Sequence, residues 1–490
     1  MSASAAASLM SRLSRPGPLL LLALAVAGYR YAFWWFSDGL SLRSEEALYW
    51  TWAQDPDWGY LSRPPMIAWL IWLTTHLSGS DAESAVKAGA TLLHPLTAML
   101  VYGLGRRMAD AETGRDAALL FLLMPAVTLS AVSISAEVPL LLFWAAALLA
   151  LWRALNGNAW TDWMLLGIAI GLGMLTRYDM AFFIVALAAF ALTQPEERRL
   201  LSNPRLYAAL AIAALLMLPH LLWNLDHRVL MPAVAMAISW TALAAGLGAQ
   251  FLAFGPVAFP LLLLALAGLR GTQGLPRAQR LLAAFTGLPL LLFLGQALLG
   301  QANGHWGTPA YVAGSLLLAA WCRHRGQWRA LALWLNLALG LLFYHYPAAL
   351  QAIGVPLQQK YDAYRQVRGW EEVGHQAQRW LQEFPDARLL VSEPDLMAEL
   401  MYYARPLYEP RIWFPPDKRT QNHYDLSLPL RDDEQGPFVW IVEPPADPAV
   451  LQSFRQAEQQ SDIVVIPYPG LERRYQVWRL DGFRGYAHAD

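Results

Sequence analysis

The sequence predicts an α-helical polytopic membrane protein with about eleven transmembrane helices, additional interfacial helices and a C-terminal α/β domain. Of its 490 residues, 56% are hydrophobic and only 15% are charged. Apolar runs approaching the roughly 20 residues needed to cross a bilayer recur until about residue 345. Beyond Tyr346 the sequence becomes polar and contains short apolar runs that are typical of strands.

The apolar runs place the candidate spans directly. They cover residues 18–36, 85–105, 116–133, 137–155, 161–176, 179–193, 205–224, 247–269, 281–299, 307–322 and 328–345. No small-residue cleavage site follows the first run, so we expect a retained signal anchor there. The run 66–78 is too short to span comfortably and is predicted to lie in the interface or to re-enter it.

Basic residues are concentrated in the turns that follow odd-numbered spans. These turns contain Arg106, Arg107, Arg115, Arg153, Arg198, Arg199, Arg205, Arg270, Arg277, Arg280, Arg323, Arg325 and Arg329. Because the positive-inside rule places such turns in the cytoplasm, we expect loop 37–84 and everything after residue 345 to lie outside. The net charge of −1 gives no reason to expect nucleic acid as a partner, and a single cysteine, Cys322, excludes an intrachain disulfide.

Two domains are expected. Residues 1–345 form the transmembrane domain, with 37–84 as its first outer loop, and residues 346–490 form the α/β domain. The β-like runs in this second domain are Arg388–Ser392, Phe438–Val442, Ile463–Ile466 and Tyr475–Arg479, and helical patterns cover Trp370–Glu383 and Pro394–Tyr403. Alternation of strands and helices is typical of a small α/β domain.

A polar island, residues 44–65, follows the first span. Glu45 and Glu46 begin a segment rich in aromatic residues, and Tyr60 and Arg63 lie near its end. One interpretation is a site built from two acids, one base and aromatic side chains beside a membrane. The alternative is an interfacial helix with acids in its first turn, where they suit the helix dipole, and an aromatic belt. The pattern alone leaves both interpretations open.

Further polar residues occupy other turns that we predict to lie outside, where charges near apolar helices need a partner or water. They are Glu137, Arg177, Asp179, Asn224, His227, Arg228, His305 and Tyr311. Alternatively, Glu137 caps a helix and Arg177 pairs locally with Asp179. As a group, the acids have the chemistry to accept a hydroxyl proton, and the cations have the chemistry to hold a phosphate.

The usual signatures of several other activities are missing from the sequence. There is no GxxxxGK[ST], CxxC, HExxH or GxSxG motif. Nucleotide-driven transport, thiol redox chemistry, zinc proteolysis and serine hydrolysis therefore have no sequence support.

Two segments of the island resemble the first outer loop of bacterial GT-C glycosyltransferases. They are Glu45–Trp50 and Gly59–Trp69, and similar stretches follow at 135–140, 175–178, 219–227 and 309–311. These enzymes are related to protein O-mannosyltransferases and to lipid A aminoarabinose transferases. The resemblance covers essentially the whole membrane part, and the polar tail resembles the outer domain of the bacterial members.

The resemblance implies a glycosyltransferase that moves one sugar from undecaprenyl phosphate to a periplasmic acceptor such as lipid A or lipopolysaccharide, another glycan or a protein. It implies a multi-pass protein of a bacterial inner membrane with a periplasmic active site and C-terminal domain. Transfer is expected to invert the anomeric centre without a metal or cofactor. A divalent cation between Glu45, Glu46 and Glu137 stays open as an alternative.

The resemblance also assigns roles to individual residues. Glu45 corresponds to the family's catalytic base, although an aspartate is usual at that position, and Glu46 is the alternative. Glu137 corresponds to the second loop acid. The donor phosphate is expected to be held by Arg63, His227, Arg228 and Tyr311, together with His305. Tyr60, Arg177 and Asn224 are further candidates.

Three other functions compete with this interpretation. A lipid or sugar transporter would also have many spans, although no inverted repeat is visible. An O-antigen ligase-like enzyme would take a pyrophosphate-linked donor instead. A structural scaffold with a periplasmic tail is the third.

Overall fold

The computed structural model describes residues 10–37, 39–61, 63–227, 237–269, 274–300, 307–415 and 419–486. The chain divides into two compact units. The first comprises Met1–Phe33, Pro64–Ile67 and Lys87–His345, and the second comprises Trp34–Arg63, Ala68–Val86 and Tyr346–Asp490.

The first unit is built from α-helices. They are Pro16–Phe36, Glu83–Met108, Ala111–Leu123, Pro125–Ser130, Glu137–Gly157, Trp160–Met174, Ala181–Thr193, Pro204–Asp226, Trp240–Ala253, Ala258–Gly268, Arg277–Leu298, Ala310–Trp321 and Gly326–Ala352, with short 3-10 turns at Tyr178–Met180 and Pro195–Ser202. Within the described residues, 6 helices are long and apolar enough to cross a membrane, or up to 7 if one sharply bent pair counts as a single span. The protein is therefore a multi-pass membrane protein.

All the predicted spans fall on helices, but five of them are not single long helices. Residues 161–176, 179–193 and 307–322 form shorter apolar helices. Span 116–133 is interrupted after Met124, because Pro125 begins a new helix and cannot continue the previous one. Span 247–269 bends by 104° between its two helices. This is how the structure differs from the predicted eleven continuous spans.

The 104° bend lies at Gly255, whose φ of +115° is a conformation that L side chains rarely adopt. A Cβ atom there would lie 1.9 Å from Asn336 Oδ1. The Asn336 side-chain amide donates to the Phe254 carbonyl at 3.0 Å, which satisfies a backbone group that the broken helix leaves without its usual partner.

Small residues let neighbouring helices of the first unit approach closely, as is usual between transmembrane helices. Helix Trp160–Met174 packs on Pro204–Asp226, and a Cβ at Gly167 would lie 2.4 Å from the Ala209 carbonyl oxygen. A substitution at Gly167 would therefore push these helices apart.

The second unit contains a mixed sheet with helices around it. Its helices are Ser44–Gln54, Met66–Ser78, Trp370–Glu383, Pro394–Tyr403, His423–Ser427 and Pro448–Gln452, and its strands are β1 (Arg388–Val391), β2 (Arg411–Ile412), β3 (Phe438–Val442), β4 (Phe454–Gln459), β5 (Ile463–Tyr468) and β6 (Leu471–Phe483). The strand order is β2-β1-β3-β6-β4, with β5 also paired to β6. Strand β1 is parallel to β2 and β3, whereas β6 is antiparallel to β3, β4 and β5.

The predicted fold class is confirmed: apolar helices are followed by a small α/β domain. The four β-like runs coincide with β1, β3, β5 and β6. Strand β4 was not predicted, because all of its side chains after Phe454 are exposed and it lacks the apolar alternation that marks a half-buried strand. Strand β2, with two residues, is too short to produce a pattern.

The loop after the first helix packs on the tail within the second unit. The Leu42 N–H donates to the Tyr403 hydroxyl at 2.6 Å, and the Tyr402 hydroxyl donates to the Asp81 carbonyl at 2.6 Å. Helix Ser44–Gln54 packs against Pro394–Tyr403. The sequence grouped loop 37–84 with residues 1–345, whereas these contacts join it to residues after 345.

Candidate active site

Glu45 and Arg63 form an ion pair on the loop. The Glu45 Oε1 atom accepts hydrogen bonds from Arg63 Nη2 at 2.5 Å and from the Tyr49 hydroxyl at 2.6 Å. The side chains of Glu45 and Arg63 are 50% and 34% exposed, respectively. An ion pair this accessible contributes roughly 0–1 kcal/mol to stability, so a ligand can open it at low energetic cost.

Backbone pairing with Tyr60 positions Arg63. The two residues exchange N–H···O hydrogen bonds, both 3.2 Å long. Tyr60 is itself fixed, since its ring stacks on Trp52 with centroids 4.4 Å apart and its hydroxyl donates to the Trp52 carbonyl at 2.9 Å. Burial raises the pKa of Tyr60 to about 12, so the phenol is neutral at physiological pH. Tyr60 is thus a positioning residue for Arg63.

Glu46 has a different environment from Glu45. It is 1% exposed, and its Oε2 atom accepts the Arg43 backbone N–H at 2.9 Å. Arg43 is the N-cap of helix Ser44–Gln54, so the Glu46 carboxylate satisfies a backbone donor at the start of that helix. The structure therefore favours Glu45 over Glu46 as the carboxylate that meets a ligand.

A cleft of about 460 Å³ lies beside Glu45 within the second unit. Its lining residues are Arg43, Ser44, Glu45, Gln359, Arg365, Gln366, Trp370, Asp395, Leu471, Glu472 and Arg473. This volume falls in the range of small-molecule sites. Burial and then the charge of Glu45 raise the pKa of Asp395, which indicates that the two carboxyl groups lie near each other. Asp395 was not predicted as a site residue, because no motif links it to residue 45.

In the first unit, Glu137, Arg177 and Asp179 form a buried ion-pair cluster. Arg177 Nη1 pairs with Glu137 Oε1, and Arg177 Nε donates to Asp179 Oδ2 at 2.8 Å. Their side chains are mostly buried. The local Arg177–Asp179 pair considered from the sequence is present, and Glu137 joins it. The single guanidinium of Arg177 is therefore shared by two carboxylates, so neither carboxylate is buried without a cationic partner.

Next to this cluster in sequence, Tyr178 contacts His220. The Tyr178 hydroxyl lies 2.7 Å from His220 Nε2, and the Asn224 side-chain amide lies 3.1 Å from the same nitrogen. Neither Tyr178 nor His220 was a predicted site residue. The sequence signal for this contact is the spacing of His220 and Asn224, which lie four residues apart and therefore on the same face of one helix.

His227 is the C-cap of helix Pro204–Asp226. Its ring stacks on Trp223 with centroids 4.0 Å apart, and its Nδ1 atom lies 2.9 Å from the Trp223 carbonyl oxygen. The side chain is 34% exposed, so His227 keeps an accessible edge. Two of the predicted phosphate-binding residues, Arg228 and His305, lie outside the described residues.

Tyr311 is fully buried. Its hydroxyl donates to Gln250 Oε1 at 2.7 Å, and its ring stacks on Phe254 with centroids 4.5 Å apart. Contact with a donor phosphate would require this buried hydrogen bond to break. The structure therefore gives Tyr311 a packing role in the first unit instead of the predicted phosphate contact.

No group of three or more His, Cys, Asp or Glu side chains in the described part of the chain is arranged to hold a metal ion. The Glu46 carboxylate, one of the proposed ligands of a divalent cation, is engaged with the helix N-terminus.

Comparison with known proteins agrees with the resemblance seen in the loop. Residues 62–223 match the family described as dolichyl-phosphate-mannose-protein mannosyltransferase. Lipid A galacturonosyltransferase RgtD from Rhizobium johnstonii is 28% identical over 445 residues, covering 86% of this chain and 91% of the relative. Undecaprenyl phosphate-alpha-4-amino-4-deoxy-L-arabinose arabinosyl transferase from Pseudomonas aeruginosa is 30% identical over 166 residues, covering 32% of this chain and 29% of the relative.

The fold agrees over nearly the whole chain. The crystal structure of ArnT from Cupriavidus metallidurans in the apo state matches with a TM-score of 0.65 at 14% identity, covering 94% of this chain and 97% of that one. In sequence and in fold, the chain is similar to glycosyltransferases of the GT-C superfamily.

The similar proteins are named glycosyltransferases, which favours the enzymatic interpretation over the transporter and scaffold alternatives. The segment that matches the family begins at residue 62, so it contains Arg63, Glu137 and Arg177 but not Glu45. The assignment of Glu45 therefore depends on the geometry of the second unit.

Proposed function

We propose that this enzyme transfers one sugar from a polyprenyl phosphate, of the undecaprenyl type, to a lipid A-like glycolipid at the outer face of a bacterial inner membrane. Two similarities support the donor and acceptor classes. The relative RgtD is named a lipid A galacturonosyltransferase, and ArnT from Cupriavidus metallidurans, in its form bound to undecaprenyl phosphate, matches with a TM-score of 0.63 at 14% identity.

The observation that carries the proposed chemistry is the contact between Glu45 and Arg63. A carboxylate and a guanidinium meet at 2.5 Å, and the carboxylate lines a cleft that can admit an acceptor. The arrangement supplies a proton acceptor beside a group that stabilises a leaving phosphate.

In the proposed step, an acceptor oxygen attacks the anomeric carbon of the donor and inverts it. The bond from that carbon to the donor phosphate oxygen breaks, and its electron pair leaves with the polyprenyl phosphate. Arg63 stabilises the leaving phosphate, whose oxygens match the planar guanidinium fork. Glu45 takes the acceptor's hydroxyl proton. The ion pair of the free enzyme opens as each partner finds its substrate group.

Initial-rate measurements on the purified full-length protein in detergent test this proposal. The probes are undecaprenyl phosphate carrying either galacturonic acid or aminoarabinose, and lipid A as acceptor. We expect the Glu45→Gln variant to lose about 10²- to 10⁴-fold in kcat, the range for general-base help. The matched control is Glu383→Gln, the same chemical change at an exposed helix end. Near-full activity in a folded Glu45→Gln variant would show that Glu45 is not the base.

The Arg63→Ala variant should bind the donor about 1.5–3 kcal/mol more weakly, as expected for a hydrogen bond to a charged group. Arg63→Lys keeps the charge but loses the fork, so we expect only partial recovery. Unchanged donor affinity in Arg63→Ala would remove Arg63 from the donor site.

Inhibition by free lipid carriers separates the proposal from an O-antigen ligase-like enzyme. A polyprenyl-phosphate enzyme should be inhibited more strongly by undecaprenyl phosphate than by undecaprenyl pyrophosphate. The opposite order of inhibition would favour the ligase-like alternative.

The orientation of the protein is also a proposal, supported by the concentration of arginines in alternate turns. Cysteine labelling in spheroplasts tests it, after the single native cysteine has been replaced by Cys322→Ala. We expect Ser461→Cys, on the tail, to react with an impermeant maleimide, and Ser202→Cys to react only after permeabilisation. Both serines are exposed, so a reversed result would overturn the orientation.

A further inference from the structure

The cleft beside Glu45 has an unusual charge pattern. Its lining contains three arginines, Arg43, Arg365 and Arg473, and three acids. Two of the acids already have cationic partners: Glu45 pairs with Arg63 at 2.5 Å, and Glu472 pairs with Arg474 at 2.7 Å. Among the described residues, none of the three arginines lies within ion-pair distance of a carboxylate.

Arg473 is held in place by neutral groups. Its guanidinium donates to the backbone carbonyls of Arg368 at 2.6 Å, Gln366 at 2.9 Å and Arg365 at 3.1 Å. It also lies over the Trp370 ring, 4.0 Å from the centroid. These contacts fix its position without neutralising its charge, so a bound anion would find a positive group that is already ordered.

The segment that carries Arg365 is also fixed. Buried Asp362 accepts hydrogen bonds from Arg368 Nε at 2.9 Å and from the Tyr468 hydroxyl at 3.0 Å. One wall of the cleft is therefore a rigid part of the tail. Arg43 comes from the loop, two residues before Glu45, so the charges on both walls lie near the proposed base.

The lining residues indicate which substrate the cleft can take. Leu471 and Trp370 are the apolar side chains in the lining, so the cleft suits a polar headgroup and not a polyprenyl chain. Arg63, the proposed partner of the donor phosphate, is not among the lining residues.

We propose that this cleft is the acceptor subsite, and that Arg43, Arg365 and Arg473 bind a phosphate group on the acceptor glycan. This rests on the proposed transferase function and adds the acceptor's chemical class to it. Binding the phosphate at the three guanidinium groups brings the acceptor's reacting oxygen to Glu45. Asp395 lines the same cleft, and its carboxyl group repels a second phosphate near Glu45. This repulsion helps to orient the acceptor.

Equilibrium binding to the purified full-length protein tests this inference without requiring turnover. The probes are lipid A and lipid A treated with phosphatase. We expect the wild-type protein to bind the phosphorylated form at least about tenfold more tightly. The double variant Arg43→Gln/Arg365→Gln should lose about 10- to 100-fold in affinity for the phosphorylated form, and little for the treated form.

Matched controls keep the result interpretable. Arg379→Gln removes an arginine of the same unit that is 69% exposed and outside the cleft, and it should bind both forms as the wild type does. Arg43 and Arg365 have exposed side chains, so their replacement leaves the packing of the fold intact. A third variant, Arg473→Gln, should show the same selective loss.

The possible results separate this inference from the proposed function. Equal wild-type affinity for both forms of lipid A, or unchanged affinity in the double variant, would overturn the acceptor subsite even if transfer is observed. Phosphate-dependent binding that is lost in the double variant would support it. If the wild-type protein shows such binding but transfers no sugar, the proposed transfer reaction fails and the phosphate site stands.

Discussion

Replacing Glu399 with glutamine should change how the stability of the second unit depends on pH. Glu399 is fully buried on helix Pro394–Tyr403. Burial raises its pKa well above the usual range, and the charges of Glu46 and Glu83 add to the rise. The Ser44 hydroxyl and the Arg473 charge oppose it. The folded protein therefore holds this proton at pH values where the unfolded chain has released it.

The sign of the effect follows from proton binding. Between the unfolded pKa of about 4.3 and the raised folded pKa, the folded state binds more protons, so stability falls as pH rises, by at most about 1.4 kcal/mol per pH unit. Below the unfolded pKa the contribution of Glu399 to stability is fully present. Glutamine does not titrate, so Glu399→Gln removes this dependence of stability on pH. Any change in packing energy that the substitution causes is the same at every pH.

Thermal unfolding of the full-length protein in detergent, from about pH 5 to about pH 8, measures the difference in midpoint between variant and wild type. We expect the midpoint of the variant to rise relative to wild type as pH increases through this window, by at most about 3–6 °C per pH unit. The same change at exposed Glu383 should give a constant difference. A difference between Glu399→Gln and wild type that stays constant or shrinks as pH rises would refute the reasoning.

Three further predictions follow from contacts described above. Glu46→Gln weakens a helix cap, so it should lower the unfolding free energy by about 0.5–2 kcal/mol. The kcat of the folded variant should stay within a few-fold of the wild-type value. A large loss of kcat at wild-type substrate affinity would restore Glu46 as the base. Tyr403→Phe removes a hydroxyl that joins the loop to the tail, so it should destabilise the second unit by about 1–3 kcal/mol. Thermal unfolding and limited proteolysis measure this change, and an unchanged midpoint of thermal unfolding would contradict the prediction. Tyr311→Phe should leave the donor KM unchanged, because the hydroxyl faces Gln250; a marked rise in donor KM would return Tyr311 to the donor site.

Local patterns predicted the site residues unevenly. Glu45 and Arg63 are 18 residues apart in sequence, and the loop motif grouped them correctly, since a short loop keeps them near each other. Tyr311 matched a family motif as well, yet its side chain is buried against Phe254, and a motif carries no information about which way a side chain faces. Asp395 and Arg473 line the same cleft as Glu45 but lie hundreds of residues away, so no spacing rule could connect them.

The amino-acid sequence was sufficient to predict a multi-pass membrane protein with a polar α/β tail and to identify the loop that carries the candidate acid and base. It could do so because length of apolar runs, periodicity and short motifs are local properties of the chain. The folded structure is needed to see that the loop packs on the tail and that Glu46 is a buried cap while Glu45 faces a cleft. It also shows that the three arginines of this cleft have no acidic partner among the described residues. Burial and pairing depend on contacts between distant segments, and those contacts exist only after the chain has folded.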